Sequence, residues 1–153
     1  MQRYIKMRTK QNNSHFFLYY SRFAVPLHPQ NVIKMKDICC IGHVTKDKIV
    51  TPSSTVYMAG GTSFYFAYAI NQLPKDVSFS LITAMDPTEK EPVEKMLKAG
   101  IDVTLNPSRN TVFFENIYGE NPNDRKQRVL AKADPFTIQQ LEHVEAKVFH
   151  LGS

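Results

Sequence analysis

The sequence predicts an α/β fold: a parallel sheet flanked by helices, interrupted by two inserted β-hairpins. Three observations predict it. Apolar extended runs alternate with helix-like runs from Asp37 onwards, in the order strand, helix, strand, helix, strand, and that order feeds a parallel sheet. A double glycine, Gly60-Gly61, stands between an extended run and an apolar helical run. Two further segments break the alternation with paired extended runs around turn-forming residues.

The elements follow in order. Asp37-Ile38-Cys39-Cys40-Ile41 ahead of Gly42 is a short buried strand. His43 to Asp47 forms a loop that runs on into Lys48-Ile49-Val50. The turn Pro52-Ser53-Ser54 then leads to Thr55-Val56-Tyr57-Met58, making the first hairpin. A helix is expected from about Thr62 to Leu73, apolar nearly all round and well buried, with Thr62 or Ser63 as cap. Val77 to Thr83 is a strand. Asp86 caps the next helix, Pro87 opens it, Val93, Met96 and Leu97 form its buried stripe, and Gly100 stops it. Ile101 to Leu105 is extended. Thr111 to Tyr118 and Gln127 to Ala131 form the second hairpin around Gly119 to Asp124. A helix from Asp134-Pro135 to about Ala146 and a buried strand Lys147 to Leu151 complete the pattern.

Charge divides the chain at the same boundary. Residues 1–36 hold seven of the 19 Lys and Arg and none of the 14 acids, so the remainder has 12 bases against 14 acids. The body therefore offers no basic patch for nucleic acid. Residues 1–36 read as a basic N-terminal extension. It is a targeting segment, a disordered tail, or translated sequence upstream of a natural start at Met35; the last is favoured, because a well-formed strand begins two residues later. No run approaches the roughly 18 apolar residues of a membrane span. Cys39 and Cys40 are adjacent on a strand and point to opposite faces, so they read as buried thiols of a reducing compartment, and a cytoplasmic location is expected.

Taken alone, the Gly60-Gly61 corner is either a tight packing turn or a place where a ligand approaches a helix N-terminus. Asp47 is either a solvated turn residue or a ligand carboxylate. The order of pieces favours the ligand roles. Gly42-x-x-x-x-Asp47, a hairpin, Gly60-Gly61 opening a helix, two further strand–helix turns, a second hairpin and Ala131-Lys132-Ala133-Asp134 together resemble the ribokinase-like (pfkB) family of sugar and nucleoside kinases. The resemblance covers residues 37–153 and matches the N-terminal half of such a kinase, sugar site included; it implies a ribokinase-like parallel sheet whose two inserted hairpins form a small β-lid over the sugar. It implies ATP-dependent phosphoryl transfer to a hydroxyl compound, with ATP and Mg as cofactors of the complete enzyme and a sugar or sugar phosphate as ligand. It further implies that Asp47 binds sugar hydroxyls, that Gly60 and Gly61 pack against the sugar, and that Thr45 faces it. A homodimer through the lid sheet is a further expectation, since such lids can pair between subunits.

Departures bear on the substrate. Tyr65 stands where the family often has Asn, and either reaches the pocket or packs. Thr62 replaces a frequent Lys or Arg, Ala84-Met85-Asp86 a Gly-x-Asp loop, and Gly152 a frequent acid. Arg125, Lys126, Arg128 and Lys132 form either a solvated charged face or, through Arg128 or Lys132, a phosphate contact. Phe113 and Phe114 line the lid or a subunit contact. The histidines lack metal-ligand spacing; His43 alone lies where it can touch a ligand. The family's glycine-rich anion hole, its aspartate base and its nucleotide site belong to the C-terminal half, and no phosphate-loop pattern Gly-x-x-x-x-Gly-Lys-Ser/Thr occurs here. No catalytic residue is therefore assigned, and this chain alone is expected to be inactive and to bind no cofactor tightly. The alternative is a non-catalytic α/β binding or interaction module derived from the same fold.

Overall fold

The structure is a computed structural model that describes residues 17–20, 23–26, 35–74, 76–121 and 123–152. Most of the proposed N-terminal extension lies outside the described residues. Within it, strands β1 (Phe17–Tyr20) and β2 (Phe23–Pro26) pair antiparallel as a separate small unit.

The unit from Met35 onward contains two four-stranded sheets. The first is wholly parallel, with β3 (Lys36–Gly42), β6 (Phe79–Met85), β7 (Val103–Pro107) and β10 (Ala146–Gly152) in the order β10-β3-β6-β7. Helices α1 (Thr62–Ile70) and α2 (Glu91–Lys98) connect its strands. Ala67 of α1 and Met96 of α2 pack with Cys40 and Leu81, so both helices cover one sheet face. Burial of these residues, all essentially inaccessible, supplies the main apolar driving force of this layer. Cys39 and Cys40 are both buried free thiols, and burial pushes both thiols up.

The second sheet is the lid. Its strands are β4 (Thr45–Val50), β5 (Thr55–Gly60), β8 (Phe113–Tyr118) and β9 (Arg125–Ala131), in the order β5-β4-β8-β9. Each hairpin is antiparallel, and the two join through the parallel central pair β4–β8, with Asp47 opposite Phe114. The two insertions foreseen from sequence thus form one sheet, over the carboxyl end of β3, from which β4 emerges two residues later.

Several local expectations are corrected. Helix α1 ends at Ile70, and neither Thr62 nor Ser63 caps it; Gly61 occupies the cap position without a side-chain bond. The helix is only half-buried: Ser63 and Ala67 are inside, whereas Thr62, Tyr65 and Ala69 are exposed. Asp86 caps as foreseen, accepting from Thr88 N–H at 2.8 Å, but the turn Pro87–Glu89 is a separate 3-10 turn ahead of α2. Leu97 is exposed, because the buried stripe consists of Val93 and Met96, three residues apart. The last helix shrinks to α3 (Ile138–Leu141), begun by a capping box between Thr137 and Gln140. Asp134 does not start it, because its carboxylate is engaged by Arg109. Strand β10 exists, but it is not buried. It pairs only with β3 among the described strands, which leaves Val148, Phe149 and Leu151 exposed.

Candidate functional site

The site grows from the crossing of β4 and β5. Thr45 and Asp47 are two apart on β4 and share a face. The Thr45 hydroxyl donates to Asp47 Oδ1 at 2.7 Å, fixing the carboxylate rotamer. Across the antiparallel pair, Thr45 faces Gly60 and Asp47 faces Met58. A Cβ on Gly60 would stand 2.5 Å from Asp47 Oδ2 and 3.2 Å from Thr45 Oγ1, so the absence of a side chain at Gly60 is what admits the carboxylate. Gly61 has φ 93°, in the left-handed region, and a Cβ there would meet the His43 carbonyl oxygen at 2.7 Å. Both glycines are therefore required for different reasons: Gly60 for space, Gly61 for backbone conformation and space.

The chain turns at Gly61 into α1. Tyr65 N–H donates to the Gly61 carbonyl at 3.2 Å, so Tyr65 stands one helical turn from the corner. Its ring is 55% exposed and meets Phe64 edge-on, at 5.3 Å between centroids. Thr45, Asp47, Gly60, Gly61 and Tyr65 thus assemble at one corner, where open α/β sheets hold ligands beyond the carboxyl ends of their strands.

Arg128 and Lys132 are placed elsewhere. In register, Lys48 lies opposite Glu115, and Glu115 opposite Arg128. These residues occupy the lid face opposite to Asp47. Glu115 is 6% exposed; it accepts from Lys48 Nζ at 3.0 Å and from Arg128 Nε at 2.9 Å. The two cations hold the Glu115 carboxyl below its usual range, Lys48 contributing most. Arg128 is thus committed to a lid ion pair, and Lys132 is exposed beyond the end of β9. Phe113 points with Lys46, whose ammonium lies 5.3 Å from its ring centroid.

Sequence reasoning missed Asn116 and Gln127. Asn116 faces Ile49 in register and so shares the Asp47 face; it is 4% exposed and accepts from Gln127 Nε2 at 2.9 Å. The signal was present in the alternation of Phe114-Glu115-Asn116-Ile117, but only pairing with β4 decides which face each residue takes. His43 stacks on Phe136 at 5.0 Å between centroids. Asp134, just before that ring, is gripped by the Arg109 guanidinium at 2.7 and 2.9 Å and accepts from the Arg109 backbone N–H at 2.9 Å. Those bonds lower its carboxyl to about 2. A cleft of about 590 Å³ opens between the lid and the two helices, lined by Thr45, Lys46, Tyr57, Phe64, Tyr68 and Glu89 among others. Of the corner residues only Thr45 reaches it. Among the described residues no three His, Cys, Asp or Glu side chains are grouped to hold a metal ion, and no helix is long and apolar enough to cross a membrane.

No protein-family model matches the chain, and no curated protein matches it. Solved structures do. A pyrophosphate-dependent kinase of the ribokinase family, complexed with a pyrophosphate analogue and myo-inositol, is 27% identical with a TM-score of 0.62, over 75% of this chain and 39% of that one. A sulfate complex of a pyrophosphate-dependent kinase in the same family is 26% identical with a TM-score of 0.62, over 75% and 40%. A Burkholderia thailandensis nucleoside kinase in complex with inosine is 17% identical with a TM-score of 0.50, over 60% and 36%. The chain spans about 40% or less of the length of these structures. It has the fold of the ribokinase-family kinases, matched over part of their length.

Proposed function

We propose that this chain is the ligand-holding part of a kinase that phosphorylates a sugar or a related polyol. One observation carries the reading: a carboxylate, Asp47, oriented by Thr45 and admitted by Gly60, on a face of the four-stranded lid that rises from the carboxyl end of the parallel-sheet strand β3. An ionised carboxylate only accepts hydrogen bonds, and a polyol presents neighbouring O–H donors, so the two match. Asn116 and Gln127 on the same lid face add amide groups that suit hydroxyl oxygens. A lid closing over the ligand would exclude water, directing the phosphoryl group to the ligand hydroxyl.

In the complete reaction the ligand hydroxyl oxygen forms a new P–O bond as the donor's bridging P–O bond breaks. The hydroxyl proton passes to a base that the family resemblance places outside residues 37–153. The donor is ATP with Mg by that resemblance. The pyrophosphate-dependent neighbours make pyrophosphate the donor to test beside it. Phosphoryl transfer requires donor, metal and base to be placed together, so the isolated chain binds ligand without turning it over.

Calorimetric titration of the chain with myo-inositol, ribose and inosine tests this reading. At least one should bind, and Asp47→Ala should abolish that binding while leaving the fold intact by circular dichroism. No phosphorylation should be detected with ATP–Mg or pyrophosphate–Mg. Failure of a folded chain to bind any of them would overturn the assignment.

A further inference from the structure

Three strands bring His43, Ala84 and Asn106 into one row. Asn106 is the register partner of Ala84 across β6–β7. Strands β3 and β6 are paired as far as Ile41 and Ile82, and continuing that register into the loop just past Gly42 sets His43 abreast of Ala84. Partners in a parallel pair point to the same face. The face is the one opposite to α1 and α2. Val44, the neighbour of His43, belongs to the core beneath those helices, and His43 itself stacks on Phe136 of the segment between β9 and α3. Ala84, the middle residue of this row, carries only a methyl and is 3% exposed.

Both flanking residues carry a buried atom without a hydrogen-bond partner among the described residues: His43 Nε2 and Asn106 Nδ2. Such atoms are costly and are normally satisfied. Their chemistry is complementary in an informative way. The main chain of Asp134 lies beside the His43 ring and favours a ring N–H turned towards its carbonyl, while burial favours the neutral ring. With the other nitrogen donating to that carbonyl, Nε2 is left as an acceptor. Asn106 Nδ2 is a donor. A carboxylate oxygen would satisfy only Asn106, and an ammonium only His43. A hydroxyl group satisfies both, donating to one and accepting from the other.

We propose that His43 and Asn106 form a second hydroxyl-reading subsite, in which Nε2 accepts from, and Nδ2 donates to, one hydroxyl of the polyol whose other hydroxyls meet Asp47. The inference rests on the reading of Asp47 as a polyol carboxylate. His43 and Asp47 belong to one short segment, with Cα atoms at most about 14 Å apart even if it were fully extended. Its start packs on the glycine corner through the His43 carbonyl. Solvent water has the same donor–acceptor chemistry, and the test separates the two sources.

The test uses the folded chain with 15N-labelled histidine and the probes myo-inositol, ribose and inosine. His43 Nε2 should shift on saturation with the polyol that binds, as a bare acceptor becomes hydrogen-bonded. His43→Leu and Asn106→Leu should each weaken binding by roughly tenfold, the loss of one hydrogen bond. His43→Gln, which retains an acceptor, should recover part of it. Should a leucine variant fail to fold, the Nε2 shift of the unmodified chain and the glutamine variant still decide. If Asp47→Ala abolishes binding while the His43 and Asn106 variants bind normally, the subsite is wrong and the Asp47 reading stands. An Nε2 signal that shows contact with water and does not move with ligand assigns the gap to solvent and overturns the subsite. Absence of binding by every probe overturns both.

Discussion

Asp47 Oδ2 lies 2.5 Å from the point where a Cβ on Gly60 would stand, while Asp47 Oδ1 is held by Thr45 at 2.7 Å. The carboxylate is thus confined from two sides, and the glycine pair can be dissected. In Gly60→Ala the new methyl meets the tip of a side chain, which can swing away. Stability should change little, and polyol binding should fall more than tenfold as Asp47 leaves its rotamer. In Gly61→Ala the methyl meets the His43 carbonyl and the backbone is held at φ 93°. That variant should lose at least about 1–2 kcal/mol. Thermal melts beside calorimetric titrations check both; equal effects of the two variants on stability would contradict the distinction.

The Arg109–Asp134 pair gives a pH prediction. The bonds from Arg109 bring the Asp134 carboxyl to about 2, below its ordinary 3.8, so the fold favours the ionised form. The stability this contributes is complete above the ordinary value and disappears as pH falls from there towards 2. Carboxyl NMR should give a midpoint near 2 for Asp134, and Arg109→Leu should raise it towards 3.8. The pair is exposed on its Arg109 side, so the change in melting temperature near neutral pH should be small.

Glu115 makes a sharper case on the lid. It is enclosed between Lys48 and Arg128, whose bonds lower its carboxyl. Glu115→Gln should lower the melting temperature at pH 7. The gap to the unmodified protein should begin to narrow as pH falls below the ordinary 4.5, where the unfolded chain takes up a proton that the native carboxyl still resists. A gap that does not change as pH falls below 4.5 would show that shape, and not charge, is what Glu115 supplies.

Strand β10 offers a prediction about association. Phe149 is 48% and Leu151 75% exposed, and the two share a face of a strand paired on one side among the described strands. Exposed apolar edges promote strand pairing between molecules. Light scattering should show concentration-dependent association that Phe149→Lys with Leu151→Glu abolishes, with the circular dichroism spectrum unchanged.

Local chemistry along the chain sets the alternation of strands and helices, the two insertions and the glycine corner. These features are written locally. Apolar runs of the right length, turn residues such as Gly119 to Asp124, and Asp86 with Pro87 each act within a few residues. Thr45, Asp47, Gly60 and Gly61 were legible for the same reason: two short motifs flank one hairpin, and the hairpin pairs them. Tertiary structure alone decided which face each residue takes. Arg128 resembles a phosphate ligand in the chain and becomes the partner of Glu115 only because β9 pairs with β8 in that register. Asn116 joins the Asp47 face through the parallel pairing of β4 with β8, residues more than sixty positions apart. The expected helix at Asp134 gave way to the bonds from Arg109, 25 positions away. Local propensity names an element, but long-range pairing chooses its register, and in a strand one step of register exchanges the two faces.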